Sequence, residues 1–181
     1  MFQQLYVAIV CIAALELLYI GNVIAFFQQK IIANDILKLV IAALLSFVFL
    51  IVGRLIGNLV LIWISESSVW YAATIIFILG LKMFYDKIKL GKIKQFINPL
   101  ETKGLLTLTV LQGINIFFIG LASVLLKITS QFSIYSLLIF IFAVVLGYSL
   151  GFILKKESKR QFEFLSGIFY IIIAIVIASN I

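Results

Sequence analysis

Six long apolar segments, separated by short clusters of charged and turn-forming residues, dominate the sequence. They cover approximately residues 4–27, 37–62, 69–86, 104–126, 133–154 and 162–180. A helix needs about 20 apolar residues to cross a bilayer, so each segment is long enough to span one. Because 65% of the residues are hydrophobic and only 12% are charged, a soluble globular domain is excluded. We therefore predict an all-α polytopic protein with a single membrane domain over residues 1–181.

The basic residues indicate how the six predicted helices are oriented. The first, third and fifth connections share one side of the membrane, and they contain twelve of the 14 basic residues: Lys30, Lys38, Lys82, Lys87, Lys89, Lys92, Lys94, Lys103, Lys155, Lys156, Lys159 and Arg160. The positive-inside rule places these connections in the cytoplasm and both termini outside, in the plasma (inner) membrane. The net charge of +7 therefore reflects orientation in a lipid bilayer rather than nucleic-acid binding.

The first three segments match the last three, which indicates an internal repeat. Residues 15–21 align without gaps with residues 114–120, at an offset of 99, and small residues of the later segments align at a constant offset of 94. A repeat of three spans inverts the second copy relative to the first, as in many secondary transporters. We predict repeat one over about residues 1–86, a basic loop over about 87–103 and repeat two over about 104–181.

Glycines recur at equivalent positions of the two repeats. Small residues four apart on a membrane helix allow close approach of a neighbouring helix. This spacing predicts a helix-packing role for Gly53, Gly57, Gly147 and Gly151, and we expect the same role for Gly21 and its repeat equivalent Gly120.

Polar residues within the apolar segments are the candidates for a transport site, because they are costly in the hydrocarbon. Glu16 falls near mid-membrane, and its repeat equivalent is Asn115. Gln112 and Thr109 precede Asn115 at three-residue steps on the same predicted helix face. Glu16, Asn115 and Gln112 form either an ion pathway or hydrogen-bonded helix contacts, whereas Thr109 alone favours the second interpretation.

Arg54 is predicted to lie well inside the second span. Its long side chain can reach toward Glu16, as a structural ion pair or a gate, or extend toward the outer surface. An ion pair with Glu16 would oppose cation binding. The other acidic residues fall in or beside predicted loops, so we expect no second carboxylate inside the membrane: Asp35, Glu66, Asp86, Glu101, Glu157 and Glu163.

The chain has one cysteine, Cys11, and no histidine. These counts exclude a disulfide framework, a thiolate metal cluster and a histidine proton relay. Without these groups, or an acid pair inside the membrane, we expect neither an enzyme nor a resident cofactor. Any metal handled by this chain must be a hard cation that prefers oxygen ligands.

At these residues the chain resembles the MntP family of manganese efflux pumps, within the broader lysine-exporter group. The similarity extends over nearly the whole chain and involves Glu16, Gly53-x3-Gly57, residues 78–83, Asn115-x4-Gly120, Gly147-x3-Gly151 and residues 165–167. The resemblance implies six spans, an inverted repeat and aspartates in the first and fourth spans as metal ligands or cation relays. Glu16 and Asn115 stand at those two positions here, so one of the two carboxylates is replaced by an amide.

The leading prediction is a secondary transporter that exports a divalent cation such as Mn²⁺ by alternating access, with Glu16 and Asn115 as metal ligands and Gln112 and Arg54 in the ion pathway. The first alternative is an exporter of small organic solutes such as amino acids, with Arg54 binding a carboxylate and Glu16 an amine. The second is a non-transporting scaffold held by a Glu16–Arg54 pair. The expected partners are lipid and a transported ion or solute, and the sequence leaves self-association open.

Overall fold

The computed structural model describes residues 2–28, 33–64, 67–89, 100–128, 132–154 and 159–179. Over these ranges the chain forms six helices and no strand: α1 (Phe2–Gln28), α2 (Ala33–Trp63), α3 (Ser68–Lys89), α4 (Thr102–Leu125), α5 (Phe132–Leu154) and α6 (Lys159–Ala178). Helices α1 to α5 are long and apolar enough to cross a membrane, and α6 contributes a shorter apolar stretch, Phe164–Ala178. The predicted all-α polytopic fold is confirmed.

Helices α1 and α4 form the centre of the bundle. Most of their side chains are buried, whereas α2 and α5 expose rows of large apolar side chains. Examples on these rows are Leu59, which is 63% exposed, and Phe142, which is 64% exposed. Exposed apolar area of this extent is stable only in contact with lipid. The two helices that contain Glu16 and Asn115 are therefore largely covered by the other four.

Each helix packs most closely on a helix of the other repeat: α1 on α5, α2 on α4 and α3 on α6. Glycines make these contacts close. A Cβ atom added to Gly53 would overlap the backbone oxygen of Phe117, and one added to Gly147 would overlap that of Leu18. Gly53 is equivalent to Gly147 at the offset of 94, and Leu18 is equivalent to Phe117 at the offset of 99. The same contact is thus made twice.

A second pair of glycine contacts obeys the same two offsets. A Cβ atom on Gly120 would overlap the backbone oxygen of Leu50, and one on Gly21 would overlap that of Val144. Gly57 against Leu121 and Gly151 against Asn22 form a third such pair. Backbone packing therefore follows the repeat that the sequence alignment predicts.

The directions of the helices show that the second repeat is inverted. Gly147 and Gly151 of α5 meet successive turns of α1 in the same order along the chain, so these helices are parallel, and the α2 glycines relate α2 to α4 in the same way. Asp35 near the start of α2 accepts a hydrogen bond from Tyr148 toward the end of α5, so α2 and α5 are antiparallel. It follows that α4 runs opposite to α1.

Candidate functional site

The Glu16 carboxylate lies about halfway along α1, roughly 21 Å from Phe2 at 1.5 Å per residue. Glu16 is 2% exposed. One oxygen, Oε2, accepts a hydrogen bond of 2.8 Å from Asn115 Nδ2 of α4, and Oε1 accepts one of 3.1 Å from the Tyr170 hydroxyl of α6. The acid predicted at mid-membrane therefore faces the interior of the bundle, where α1, α4 and α6 meet.

Gln112 is the second amide beside Glu16. Its Nε2 donates a hydrogen bond of 2.8 Å to the backbone oxygen of Glu16. The other amide atom, Oε1, is buried and has no hydrogen-bond partner among the described residues. A buried acceptor left without a donor costs about 1–3 kcal/mol. Gln112 thus brings an unused, hard oxygen ligand close to the Glu16 backbone.

Thr109 lies one turn before Gln112 on α4, and its hydroxyl bonds within its own helix. Its Oγ1 donates to the backbone oxygen of Leu105 at 2.9 Å. The polar stripe predicted on α4 therefore contributes Gln112 and Asn115 to the surroundings of Glu16, whereas the Thr109 hydroxyl is used locally.

Asn115 also contacts a lysine. Its Oδ1 accepts a hydrogen bond of 2.6 Å from Lys82 Nζ, and the same ammonium donates to Asp86 Oδ2 at 3.1 Å. Lys82 and Asp86 lie one turn apart on α3, and Asp86 is 6% exposed. A continuous polar chain therefore runs from Asp86 through Lys82 and Asn115 to Glu16, and ends at Tyr170.

Three members of this polar chain were not predicted from the sequence. Lys82 was counted among the cytoplasmic loop charges, yet it lies in α3 and reaches Asn115. Asp86 was expected in or beside a loop, and it lies near the end of α3, where it is buried and adds a carboxylate to the polar chain. The four-residue spacing of Lys82 and Asp86 is the signal for their pairing, because residues four apart share a helix face. Tyr170 has no comparable signal, since aromatic residues are frequent in all six segments.

Arg54 lies at the end of α4 rather than beside Glu16. Its two terminal nitrogens donate to Ser123 Oγ and to the backbone oxygen of Ile128, each at 2.9 Å. These are its contacts within the described ranges, so the ion pair considered for Arg54 and Glu16 is not formed there. The cation lies where the helix leaves carbonyl groups without intrahelical partners, and it offsets the negative end of the helix dipole.

The backbone at this helix end explains why a cation fits there. Lys127 has a positive φ of 56°, and its amide bonds the oxygen of Val124 while the amide of Ile128 bonds that of Ser123. This is a Schellman motif, which turns the chain sharply after the helix. The turn directs the Ile128 oxygen back into the bundle, and Arg54 binds it.

The site has the chemistry of a weak cation site. It offers the Glu16 carboxylate and the unbound amide oxygen of Gln112, while the amide oxygen of Asn115 is held by Lys82. Such oxygens are hard ligands suited to Mg²⁺, Ca²⁺ or Mn²⁺. In the part of the chain that the structure describes, no three His, Cys, Asp or Glu side chains come together to hold a metal ion. A single carboxylate with neutral donors binds a dication less tightly than a cluster of acids does.

Three comparisons with known proteins bear on the function. The family model described as "Mntp: Putative manganese efflux pump" matches residues 30–178. The match includes α2 to α6, and hence Asn115, Gln112 and Lys82, but it begins after α1 and Glu16. No curated protein and no solved structure matches the chain.

Proposed function

The chain belongs to the MntP family of manganese efflux pumps, and on that premise we propose that it exports Mn²⁺ or a similar hard divalent cation. Glu16 is the anionic ligand in this proposal, and Asn115 and Gln112 supply neutral oxygens. Arg54, which the sequence analysis included in the pathway, instead stabilises the end of α4 and takes no part in cation binding.

One observation supports this proposal above all: a fully buried carboxylate at mid-span faces its repeat equivalent across the boundary between the two central helices. Inverted-repeat transporters place their substrate near the bilayer midplane between the repeats. The Gln112 side chain bonds the backbone of Glu16, and its unused oxygen would be satisfied by a cation bound there. Export from the cytoplasm tolerates the modest affinity of a site with one acid.

Alternating access then follows from relative motion of helix pairs. The glycine contacts lock α1 to α5 and α2 to α4 by backbone packing, so each pair moves as one body. Glu16 belongs to the first body and Asn115 to the second. Rocking these two bodies opens the boundary between them to one side and then to the other. The moving bodies therefore each combine helices of both repeats, rather than one repeat moving against the other.

The proposed direction is outward from the cytoplasm. The positive-inside rule predicts both termini outside the plasma membrane, and in that orientation the end of α3 with Lys82 and Asp86 would face the cytoplasm. A cation that enters from the cytoplasm meets this end of the polar chain before it meets Glu16.

Export of amino acids is the alternative that the position of Arg54 disfavours. That function needs a cation for the substrate carboxylate and an anion for its amine, and Arg54 was the candidate for the first role. Its guanidinium is bound to Ser123 and Ile128 at the far end of α4. Lys82 does reach the site, but its ammonium is already bound to Asn115 and Asp86. Together with the family match, this favours a divalent cation as the substrate.

Flux into proteoliposomes tests the proposal. Purified wild type, Glu16→Gln and a control, Glu101→Gln, are reconstituted with an internal metal-sensitive dye, and Mn²⁺ entry is followed with Mg²⁺ and lysine as competitors. We expect Glu16→Gln to lose at least about tenfold in initial rate because the site loses its formal negative charge. Glu101 is exposed at the N-terminal end of α4, so Glu101→Gln should match the wild type.

Two results would overturn the proposal. A folded wild type that moves no Mn²⁺ above the rate of empty liposomes is not a manganese exporter. Equal rates for Glu16→Gln and wild type exclude Glu16 as the ligand. Competition by lysine but not by other divalent cations would support the organic-solute alternative.

A further inference from the structure

The Asn115 side chain is oriented by two charged neighbours. An amide has an acceptor on one side and a donor on the other, and here Oδ1 faces the Lys82 ammonium while Nδ2 faces the Glu16 carboxylate. Turning the amide over would place NH₂ against an ammonium and oxygen against a carboxylate. Lys82 and Glu16 therefore permit a single orientation while both are charged.

In that orientation Asn115 cannot be a cation ligand. The group that it presents to Glu16 is an N–H donor, which carries partial positive charge and repels a cation placed beside the carboxylate. The oxygen that a cation needs is already bound, at 2.6 Å, to Lys82. Cation binding by Asn115 thus requires Lys82 to leave.

Lys82 has a second position available. Asp86 Oδ2 lies 3.1 Å from the same ammonium, one helical turn further along α3, and the Lys82 side chain is 35% exposed. The ammonium can move to Asp86 alone without losing its ionic partner. Asp86 is therefore placed to accept the lysine when Asn115 turns.

We propose that Lys82 is a tethered cation that competes with the transported one: it occupies Asn115 Oδ1 in the empty site and moves onto Asp86 when a divalent cation binds to Glu16. This inference rests on the proposed cation export. Lys82 is a positioning residue, since it acts on the substrate through Asn115. Its return to Asn115 favours release of the cation and restores the empty site.

Kinetics of Lys82→Met in proteoliposomes test this proposal. Methionine keeps the length of the side chain and removes the charge, so Asn115 is free to turn. We expect a KM for Mn²⁺ about tenfold lower than that of the wild type, which is in the usual range for coupling between two bound groups. We also expect a lower kcat, because release of the cation slows. Asp86→Asn should move KM in the opposite direction, because the lysine loses its second position.

A matched control separates this effect from the loss of any ion-paired lysine. Lys38 also forms an ion pair with an acid of its own helix, 3.3 Å from Asp35. Lys38→Met should leave KM unchanged. A purely structural role for Lys82 would lower the yield of folded protein in Lys82→Met and shift KM no more than Lys38→Met does.

A double-mutant cycle separates competition from simple charge repulsion. If Lys82 acts through Asn115, then Lys82→Met should change KM by less than about twofold in an Asn115→Leu background, because coupled residues are non-additive. A full tenfold change in that background overturns the proposal in favour of long-range repulsion. An unchanged KM in Lys82→Met also overturns the proposal for Lys82. The proposed function would still stand in that case if the wild type is active and Glu16→Gln is inactive. If Lys82→Met does not fold, the same test uses Lys82→Gln, for which we expect a lower KM, and Asp86→Asn, for which we expect a higher KM.

Discussion

Glu16 and Asn115 are equivalent residues of the two repeats, and their side chains are bonded to each other, Nδ2 to Oε2 at 2.8 Å. Two equivalent positions meet only where the pseudo-twofold axis that relates the repeats passes between them. The site therefore lies on the axis, at the boundary of the two central helices. Symmetry brings the two positions together, and the difference between a carboxylate and an amide gives the site a single negative charge.

Asn115→Asp should bind Mn²⁺ more tightly than the wild type does. A second carboxylate on the axis attracts a dication more strongly, and the repulsion between the two acids is relieved when the ion binds. A ligand at 100 times its Kd stabilises the folded protein by about 2.7 kcal/mol, so Mn²⁺ should raise the Tm of this variant by more than that of the wild type.

Thermal unfolding of detergent-solubilised protein, with and without Mn²⁺, measures this difference. Asn115→Leu is the control, since it keeps a similar volume and removes the oxygen, and its Tm should respond less than that of the wild type. Equal Mn²⁺ responses in all three proteins would show that position 115 takes no part in binding.

Tyr170→Phe should destabilise the protein and leave Glu16 less well held. The hydroxyl donates to a buried carboxylate, and hydrogen bonds to charged groups contribute about 1.5–3 kcal/mol. Tyr6→Phe is a matched control, because Tyr6 is also buried but bonds the neutral hydroxyl of Ser136 at 2.9 Å. We expect a smaller loss there, about 1 kcal/mol. Chemical denaturation in detergent would compare the free energies of unfolding of the two variants. An equal loss in both would contradict a hydrogen bond from Tyr170 to a charged carboxylate.

Arg54→Leu should lower the free energy of unfolding by about 2–4 kcal/mol. The substitution removes the donors to Ser123 Oγ and to the Ile128 oxygen, and it leaves that carbonyl without a hydrogen-bond donor. Arg54→Lys restores the charge but not both bonds, so its loss should be intermediate. For the folded fraction of either variant we expect the wild-type KM for Mn²⁺. A KM shift as large as that of Glu16→Gln would place Arg54 in the ion pathway after all.

Gly147→Ala should prevent stable folding, because the added methyl overlaps the backbone oxygen of Leu18, which cannot move without displacing α1. Gly167→Ala is the matched control. Its added Cβ would lie 3.1 Å from the side chain of Met83 and 3.2 Å from the backbone oxygen of Gly80, which small shifts relieve. Size-exclusion profiles in mild detergent would compare the two. Equal monodispersity would show that α1 and α5 can separate.

The sequence predicted the helices and the repeat because both depend on the kind of residue at each position. Runs of apolar residues determine where helices can cross a bilayer. The backbone contacts at Gly53 and Gly147 are related by the same two offsets, 94 and 99, as the aligned residues of the repeats. The position of Glu16 along α1 was also predictable, since the rise per residue is constant.

The partners of the polar side chains were not predictable in the same way. Arg54 and Lys82 both have flexible side chains of several bonds, so their positions along a helix do not determine which neighbour they reach. Arg54 bonds the end of α4 because the turn at Lys127 presents a carbonyl there. Lys82 reaches Asn115 because α3 packs beside α4, and this depends on how all six helices are arranged.

The matched glycine contacts have an energetic consequence for the transport cycle. If the two halves were identical, the inward-open and outward-open states would be related by exchange of the halves and would have equal free energy. The backbone nearly meets this condition, but the side chains do not. The repeat equivalent of Arg54 is Tyr148, and that of Glu16 is Asn115. In the proposed cycle we therefore expect the two states to be unequally populated at rest, with a few polar substitutions determining the membrane face on which the protein waits.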